Sequence, residues 1–358
     1  MSEILLETRG NAGFITLNRP KALNALSLGM VRELTQALLA WRDDPAIQLV
    51  AVRGMGKEGP FGAFCAGGDI RFIHRVGSEG DADLEAFFTE EYQLNHLIHS
   101  YPKPYIAFMD GIVMGGGMGI SQGASLRLVT ERTKMAMPET AIGLFPDVGG
   151  GYFLSRCPGH AGEWLALTGE TIGADEAIAL GLADHLLPSA EQQALWESLG
   201  ATPFASAQEF KEWISSKKIA TSPGPAWARG TFDQYFAESS VPAILAALEA
   251  AGTDDTRATA ATLRKRSPLM LHVVLEQVRR ARAMDLAADL RMERDLVYHC
   301  FHLRPGRSET LEGIRALAVD KDHAPRWDPP RIEDVTPEMV APFFQSPWAP
   351  QEHPLHAL

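Results

Sequence analysis

Three glycine-rich segments and three acidic residues are the positions in this sequence best suited to chemistry. The segments are FCAGGDIR at 64–71, MDGIVMGGGMGIS at 109–121 and FPDVGGGY at 145–152, each after a strand-like run. Glycine lets a ligand or a second backbone come close, and a helix N-terminus offers free N–H donors. Two such donors aimed at one oxygen form an oxyanion hole, which stabilises the charge that develops in acyl transfer. Close helix packing explains a single glycine triplet equally well. No segment ends in the Gly-Lys-Ser/Thr of a phosphate-cradling loop, and none fits the GxGxxG dinucleotide pattern.

The acidic residues are Glu91, Glu139 and Asp147. Leu84, Phe87, Leu94 and Ile98 form one stripe at 3/4 spacing, and Glu91 falls on it. A charge on a buried stripe is costly unless it is paired at the core edge or serves a site. Glu139 follows Pro138 and sits among Met135, Met137, Ile142 and Leu144, where an unpaired carboxylate must have a raised pKa. Asp147 precedes Gly149–Gly151, so capping a helix N-terminus is its structural alternative. His96 and His99 stand at i, i+3, and His299, Cys300 and His302 have the wrong spacing for structural zinc; no metal site is expected. Arg19 and Lys21 are either solvated surface charge or partners for ligand phosphates.

These residues need a framework of short strands and helices. Residues 4–7 and 14–17 read as strands around a turn at Asn11 and Gly13. Ser27 is placed to cap a helix whose apolar face is Val31, Leu34, Leu38 and Trp41. Residues 49–52, 105–109, 126–130 and 134–137 read as further strands, and this alternation predicts an α/β class. Beyond about Pro188 the pattern becomes helical, over 243–251, 257–266 and 268–301. Residues 215–225 read as an irregular connection, and the proline-rich tail from Ala324 as an extended wrap.

With 358 residues, the chain is long enough for one large domain plus a smaller part, or two domains. A formal net charge of −12 disfavours nucleic acid and anionic membranes as partners. No apolar run is long enough to span a bilayer, and MSEILLETRG looks like neither a secretory leader nor a transit peptide. Cys65, Cys157 and Cys300 are too scattered for a disulfide framework, so a reducing, cytoplasmic setting is expected.

NRPKALNAL at 18–26, the first two glycine segments and LTGETIGADEAIALGLADHLL at 167–187 together resemble the enoyl-CoA hydratase/isomerase (crotonase) superfamily. The likeness is nearest to the 3-hydroxyisobutyryl-CoA hydrolases. It rests on EEYQLN at 90–95, MGGGMGIS at 114–121, MPETAIGLFPDVGGGYFLSR at 137–156 and IRALAVDKDHAPRW at 314–327. It implies a crotonase-like spiral of β-β-α turns over residues 1–200, forming an acyl-CoA-binding catalytic core. A mainly helical region over 201–358 is appended.

The resemblance also implies a reaction. An acyl-CoA thioester is the expected small-molecule substrate, and coenzyme A enters only as part of it, with no separate cofactor. The thioester oxygen is expected between the N–H groups of Gly68 and Gly116, with Ala66 beside it as a substrate contact. Glu139 and Asp147 match the catalytic acids of the hydrolases, and Glu91 is expected near the acyl group. Hydratases of the superfamily carry a second glutamate three residues after the middle glycine of the triplet; here that residue is Gly119. Hydrolysis of a short 3-hydroxyacyl-CoA in valine breakdown is therefore the expected activity. The rivals are an enoyl-CoA isomerase or hydratase and a non-catalytic acyl-CoA-binding protein. Superfamily members often form homo-oligomers, and the long C-terminal part is available to cover the usual contact surface.

Overall fold

The computed structural model describes residues 2–217, 219 and 230–358. They fall into two compact units that interleave along the chain. The first gathers the described residues of Met1–Gly68, Leu94–Met135 and Thr171–Trp227. The second gathers those of Asp69–Gln93, Ala136–Glu170 and Ala228–Leu358.

The first unit is built on a sheet whose path runs in chain order. Ile4–Arg9 pairs antiparallel with Ala12–Leu17. Leu49–Gly56, Tyr105–Met109, Leu126–Val129 and His185–Leu186 then add in parallel. Every residue of Ala12–Leu17 and Tyr105–Met109 is buried, as parallel strands covered on both faces require. Ile4–Arg9 closes the edge and is largely exposed. The Ser27 hydroxyl accepts from Met30 N–H at 3.2 Å and starts the helix Leu28–Asp43. Val31, Leu34 and Leu38 of that helix are buried as expected, while Trp41 at its end is only half-buried. Trp196 packs edge-on against Phe108 at 5.4 Å, joining the helix Gln192–Ala201 to the aromatic core.

The second unit is mainly helical. The runs expected at 243–251 and 257–266 are the helices Val241–Ala251 and Asp254–Leu263. The run expected at 268–301 is two helices, Pro268–Ala281 and Leu286–His302. Asp285 supplies the break: its carboxylate accepts from Ala288 N–H at 2.8 Å and starts the second helix. The tail departs from the extended wrap. It makes short helical turns at Ile332–Asp334, Pro337–Val340 and Ala341–Phe344, the last two with proline at the first or second position. Phe343 and Leu355 anchor it by burial. Of the connection expected at 215–225, residues 215–216 end the helix Ala207–Ser216, and 218 and 220–225 lie outside the described residues.

Candidate active site

In the first unit, the structure brings the first two glycine segments together. Cys65 bridges Val113, and the Met114 N–H donates to the Cys65 carbonyl at 3.0 Å. Gly67 has φ +104°, and a β-carbon there would lie 3.7 Å from the Gly116 nitrogen. Gly116 opens the helix Gly116–Gln122, so its N–H has no acceptor within that helix. The Gly67 carbonyl accepts from Leu26 N–H at 2.8 Å, so the N–H of the same peptide, that of Gly68, points away from Leu26. Ala66 is half-buried, and its own N–H is held by the Leu23 carbonyl.

Gly117 sets how closely the segments approach. A β-carbon on it would stand 2.3 Å from the Cys65 carbonyl oxygen. Gly117→Ala is expected to destabilise the protein by about 1–3 kcal/mol, as overpacking of a tight core does. Thermal unfolding checks this; an unchanged melting temperature would show that the segments are free to move apart.

In the second unit, Glu91, Glu139 and Asp147 converge. Their residues are 2 %, 7 % and 6 % exposed, respectively. Glu139 opens a 3-10 turn, Glu139–Ile142. The turn is held from two sides, by Ser267 N–H on the Thr140 carbonyl at 3.1 Å and by Thr310 Oγ1–H on the Gly143 carbonyl at 2.7 Å. The Tyr92 hydroxyl donates to Asp147 Oδ2 at 2.9 Å. Glu91 Oε1 and Glu139 Oε2 are buried with no hydrogen-bond partner.

Burial pushes all three acids upward, and repulsion between them adds to it at Glu139 and Glu91. Glu139 is raised well above the usual carboxylate range by burial first and the Asp147 charge second. Glu91 is raised by burial, then by Asp147 and Glu139. Asp147 is pushed up to about 7 by burial, against the Tyr92 hydrogen bond that favours its charged form. Carboxyl groups raised in this way are suited to giving or taking a proton during a reaction.

Asp147 also starts a strained turn. Val148 adopts φ +57°, a left-handed conformation that costs a β-branched residue about 1–3 kcal/mol. Gly149 follows at φ +86°, where glycine meets no such penalty. Asp147 does not cap the helix Gly150–Leu154 with its side chain; its backbone carbonyl accepts from Gly150 N–H at 2.7 Å, while the Gly149 and Gly151 N–H groups go to Glu293.

Sequence reasoning missed Tyr92, Glu293, Asp289 and Gln277. The signal for the two acids was present: Asp289 and Glu293 share a helix stripe with Leu286, Leu290, Leu296 and Val297, just as Glu91 shares one. His299 Nε2 pairs with the Gln345 carbonyl at 2.7 Å, and His302 Nε2 with Glu85 at 2.8 Å. Arg19 Nη1–H donates to the Ala25 carbonyl at 2.6 Å and its Nε pairs with Glu3, while Lys21 is exposed. Cys65, Cys157 and Cys300 are buried thiols, and none forms a disulfide among the described residues.

Known proteins match this chain over nearly its full length. A 3-hydroxyisobutyryl-CoA hydrolase of Xenopus tropicalis, described as mitochondrial, is 41% identical over 350 residues, covering 96% of this chain and 89% of the relative. 3-Hydroxyisobutyryl-CoA hydrolase 1 of Arabidopsis thaliana is 38% identical over 354 residues, covering 96% and 92%. Among solved structures, a carnitinyl-CoA dehydratase from Mycobacterium thermoresistibile superposes with a TM-score of 0.88 at 36% identity. That match covers 96% of this chain and 97% of the other. The sequence profile described as enoyl-CoA hydratase/isomerase matches residues 12–344. With its chain-ordered sheet, paired glycine segments and this match, the chain belongs to the enoyl-CoA hydratase/isomerase family.

Proposed function

We propose that the protein hydrolyses a short 3-hydroxyacyl-CoA thioester, 3-hydroxyisobutyryl-CoA, to 3-hydroxyisobutyrate and CoA, a step of valine breakdown. The names of the hydrolase relatives support this reading. The observation that carries it is the buried acid cluster of Glu91, Glu139 and Asp147 in a chain whose second hydratase position is Gly119. Adding water across a double bond in the hydratase manner uses two glutamates; cleaving a thioester needs one nucleophile or base and a place for the oxyanion.

In this reading the Gly68 and Gly116 N–H groups receive the thioester oxygen as negative charge develops on it. The ionised Glu139 carboxylate either attacks the carbonyl carbon or takes a proton from an attacking water. The C–S bond breaks, and the departing CoA thiolate takes a proton, for which Asp147 with its raised pKa is a suitable donor. In the first route a water then cleaves the mixed anhydride, giving the free acid and restoring Glu139. Glu91, with its unpaired oxygen, accepts a hydrogen bond from the substrate's hydroxyl, and Ala66 lies along the acyl chain. Coenzyme A is part of the substrate, and no metal or redox group enters any step. Three buried thiols outside any disulfide among the described residues fit a reducing compartment, and a cytoplasmic location is part of this proposal.

The solved structure described as a dehydratase keeps a second reading in view: hydration and dehydration of an enoyl-CoA. Crotonyl-CoA separates the two. Gly119 supplies neither acid nor base, so crotonyl-CoA should bind and inhibit competitively with little or no hydration. The measurement is loss of enoyl absorbance at high enzyme concentration, beside thiol release from 3-hydroxyisobutyryl-CoA. Hydration as fast as thioester cleavage would restore the hydratase reading.

A further inference from the structure

A second pair of buried acids grips the turn that begins at Asp147. Glu293 and Asp289, one turn apart on the helix Leu286–His302, are both 0 % exposed. Glu293 Oε2 accepts from Gly149 N–H at 2.8 Å, and its Oε1 accepts from Gly151 N–H at 2.9 Å. Asp289 Oδ2 accepts from Tyr152 N–H at 2.8 Å. Gln277, on the helix Pro268–Ala281, completes the grip: its Nε2 donates to Glu293 Oε1 at 3.2 Å and to the Pro146 carbonyl at 2.7 Å. The Gly149 and Gly151 N–H groups are thereby tied to Glu293 directly, and the Pro146 carbonyl is tied to it through Gln277. Between them lies Val148 in its left-handed conformation, which persists only if its surroundings enforce it.

The grip has an unbalanced charge. Among the described residues neither acid forms an ion pair, and the one cation acting on Asp289 through space is Arg156. Two buried carboxylates side by side cannot both ionise without a cation between them. Asp289 Oδ1 is buried with no hydrogen-bond partner, and it lies so close to the turn that a β-carbon on Gly151 would stand 2.4 Å from it. A proton held between Asp289 and Glu293, whose side chains are within hydrogen-bonding reach of one another, removes one of the two charges.

The geometry points to Asp289 and Glu293 as positioning residues that share one proton, hold the Val148–Gly149 turn in its strained form and so place Asp147 for the reaction. This rests on the proposed role of Asp147 in thioester cleavage. Both acids have pKa values raised by burial first; Asp289 is pushed up to about 7, and Glu293 is raised further by Asp289 and Asp147. The groups facing Glu293 are Asp289 on its own helix, and Asp147 and Tyr92 from the elements packed against it. None of them is a cation.

The sign of the pH dependence follows. In the unfolded chain a carboxyl group loses its proton near pH 4. In the folded protein the pair keeps a proton to a higher pH than the unfolded chain does, so the native state binds more protons between the two ranges. Stability contributed by the shared proton is full below about pH 4 and falls as pH rises through the raised values.

The test uses the full-length protein with Asp289→Asn, Asp289→Ala and Glu293→Gln. In Asp289→Asn an amide N–H replaces the shared proton and does not titrate. Its melting temperature should therefore decline less steeply with pH than that of the wild type, by the equivalent of about one proton. In thiol release, Asp289→Ala should lower kcat about tenfold or more with little change in KM. Asp289→Asn should recover most of that loss and move the alkaline limb of the kcat profile. Glu293→Gln presents an N–H to a backbone N–H, so a folded variant should lose about tenfold or more in kcat. A wild-type pH slope of stability in Asp289→Asn, or wild-type kcat in folded Glu293→Gln, overturns the proposal. If Glu293→Gln fails to fold, the Asp289→Asn slope alone decides. A wild-type enzyme that releases no thiol sinks the hydrolase reading instead, and the stability slope still tests the shared proton.

Discussion

Replacing Glu139 by Gln should lower the rate of thiol release from 3-hydroxyisobutyryl-CoA by about 10²-fold or more, with the fold and CoA binding retained. Gln keeps the size of the side chain and removes its ability to attack a carbonyl or accept a proton. The fold should tolerate it because Glu139 Oε2 has no hydrogen-bond partner to lose and the turn is held through backbone carbonyls. Burial already disfavours the ionised form, so a neutral amide removes a cost. The same physics sets the wild-type pH profile. Glu139 must be ionised to act, and its pKa lies well above the ordinary carboxylate range. The kcat/KM should therefore rise with pH through a limb above that range, not near pH 4. Circular dichroism and steady-state kinetics on one preparation check both expectations. A folded Gln variant with near-normal turnover would remove Glu139 from the reaction.

Isobutyryl-CoA, which lacks only the 3-hydroxyl, should have a kcat/KM about 10²-fold or more below that of 3-hydroxyisobutyryl-CoA. The reason lies in the unpaired oxygens. Glu91 Oε1 is buried and accepts no hydrogen bond from the protein. A substrate hydroxyl would satisfy it, and a methyl in the same place would leave it unsatisfied in a water-poor setting. Such a site rejects the analogue far more strongly than a hydrophobic pocket rejects a missing methylene. Glu91→Gln should weaken this preference, since an amide faces the hydroxyl with a donor as well as an acceptor. The measurement is a pair of specificity constants by thiol release. Equal constants for the two substrates, or a preference for long-chain acyl-CoA, would show that no polar group of the protein reads the hydroxyl.

Much of this protein was legible in local pattern. Tyr105–Met109 reads as a strand because five apolar residues sit behind Pro102 and Pro104, and it folds as one. Ser27 caps its helix because a hydroxyl three residues before a free N–H can do so in any fold. Glu91 stood out because helical spacing alone puts it on a buried stripe, and it is 2 % exposed. Asp289 and Glu293 obey the same rule, and their stripe was just as readable. The long run at 268–301 concealed them, because its periodicity carries through Asp285 while the chain turns there.

Local pattern determines which face of an element is buried, since burial follows from side-chain spacing on one helix or strand. It carries no information on which buried faces meet. Only the tertiary structure decided that the interleaved segments 69–93, 136–170 and 230–358 gather into one unit. There Tyr92, Asp147 and Glu293 come from three stretches of chain and act on one turn. The raised pKa values arise at that same level. A carboxyl group's proton affinity is set by the charges and solvent around it, and those neighbours are brought together by long-range packing.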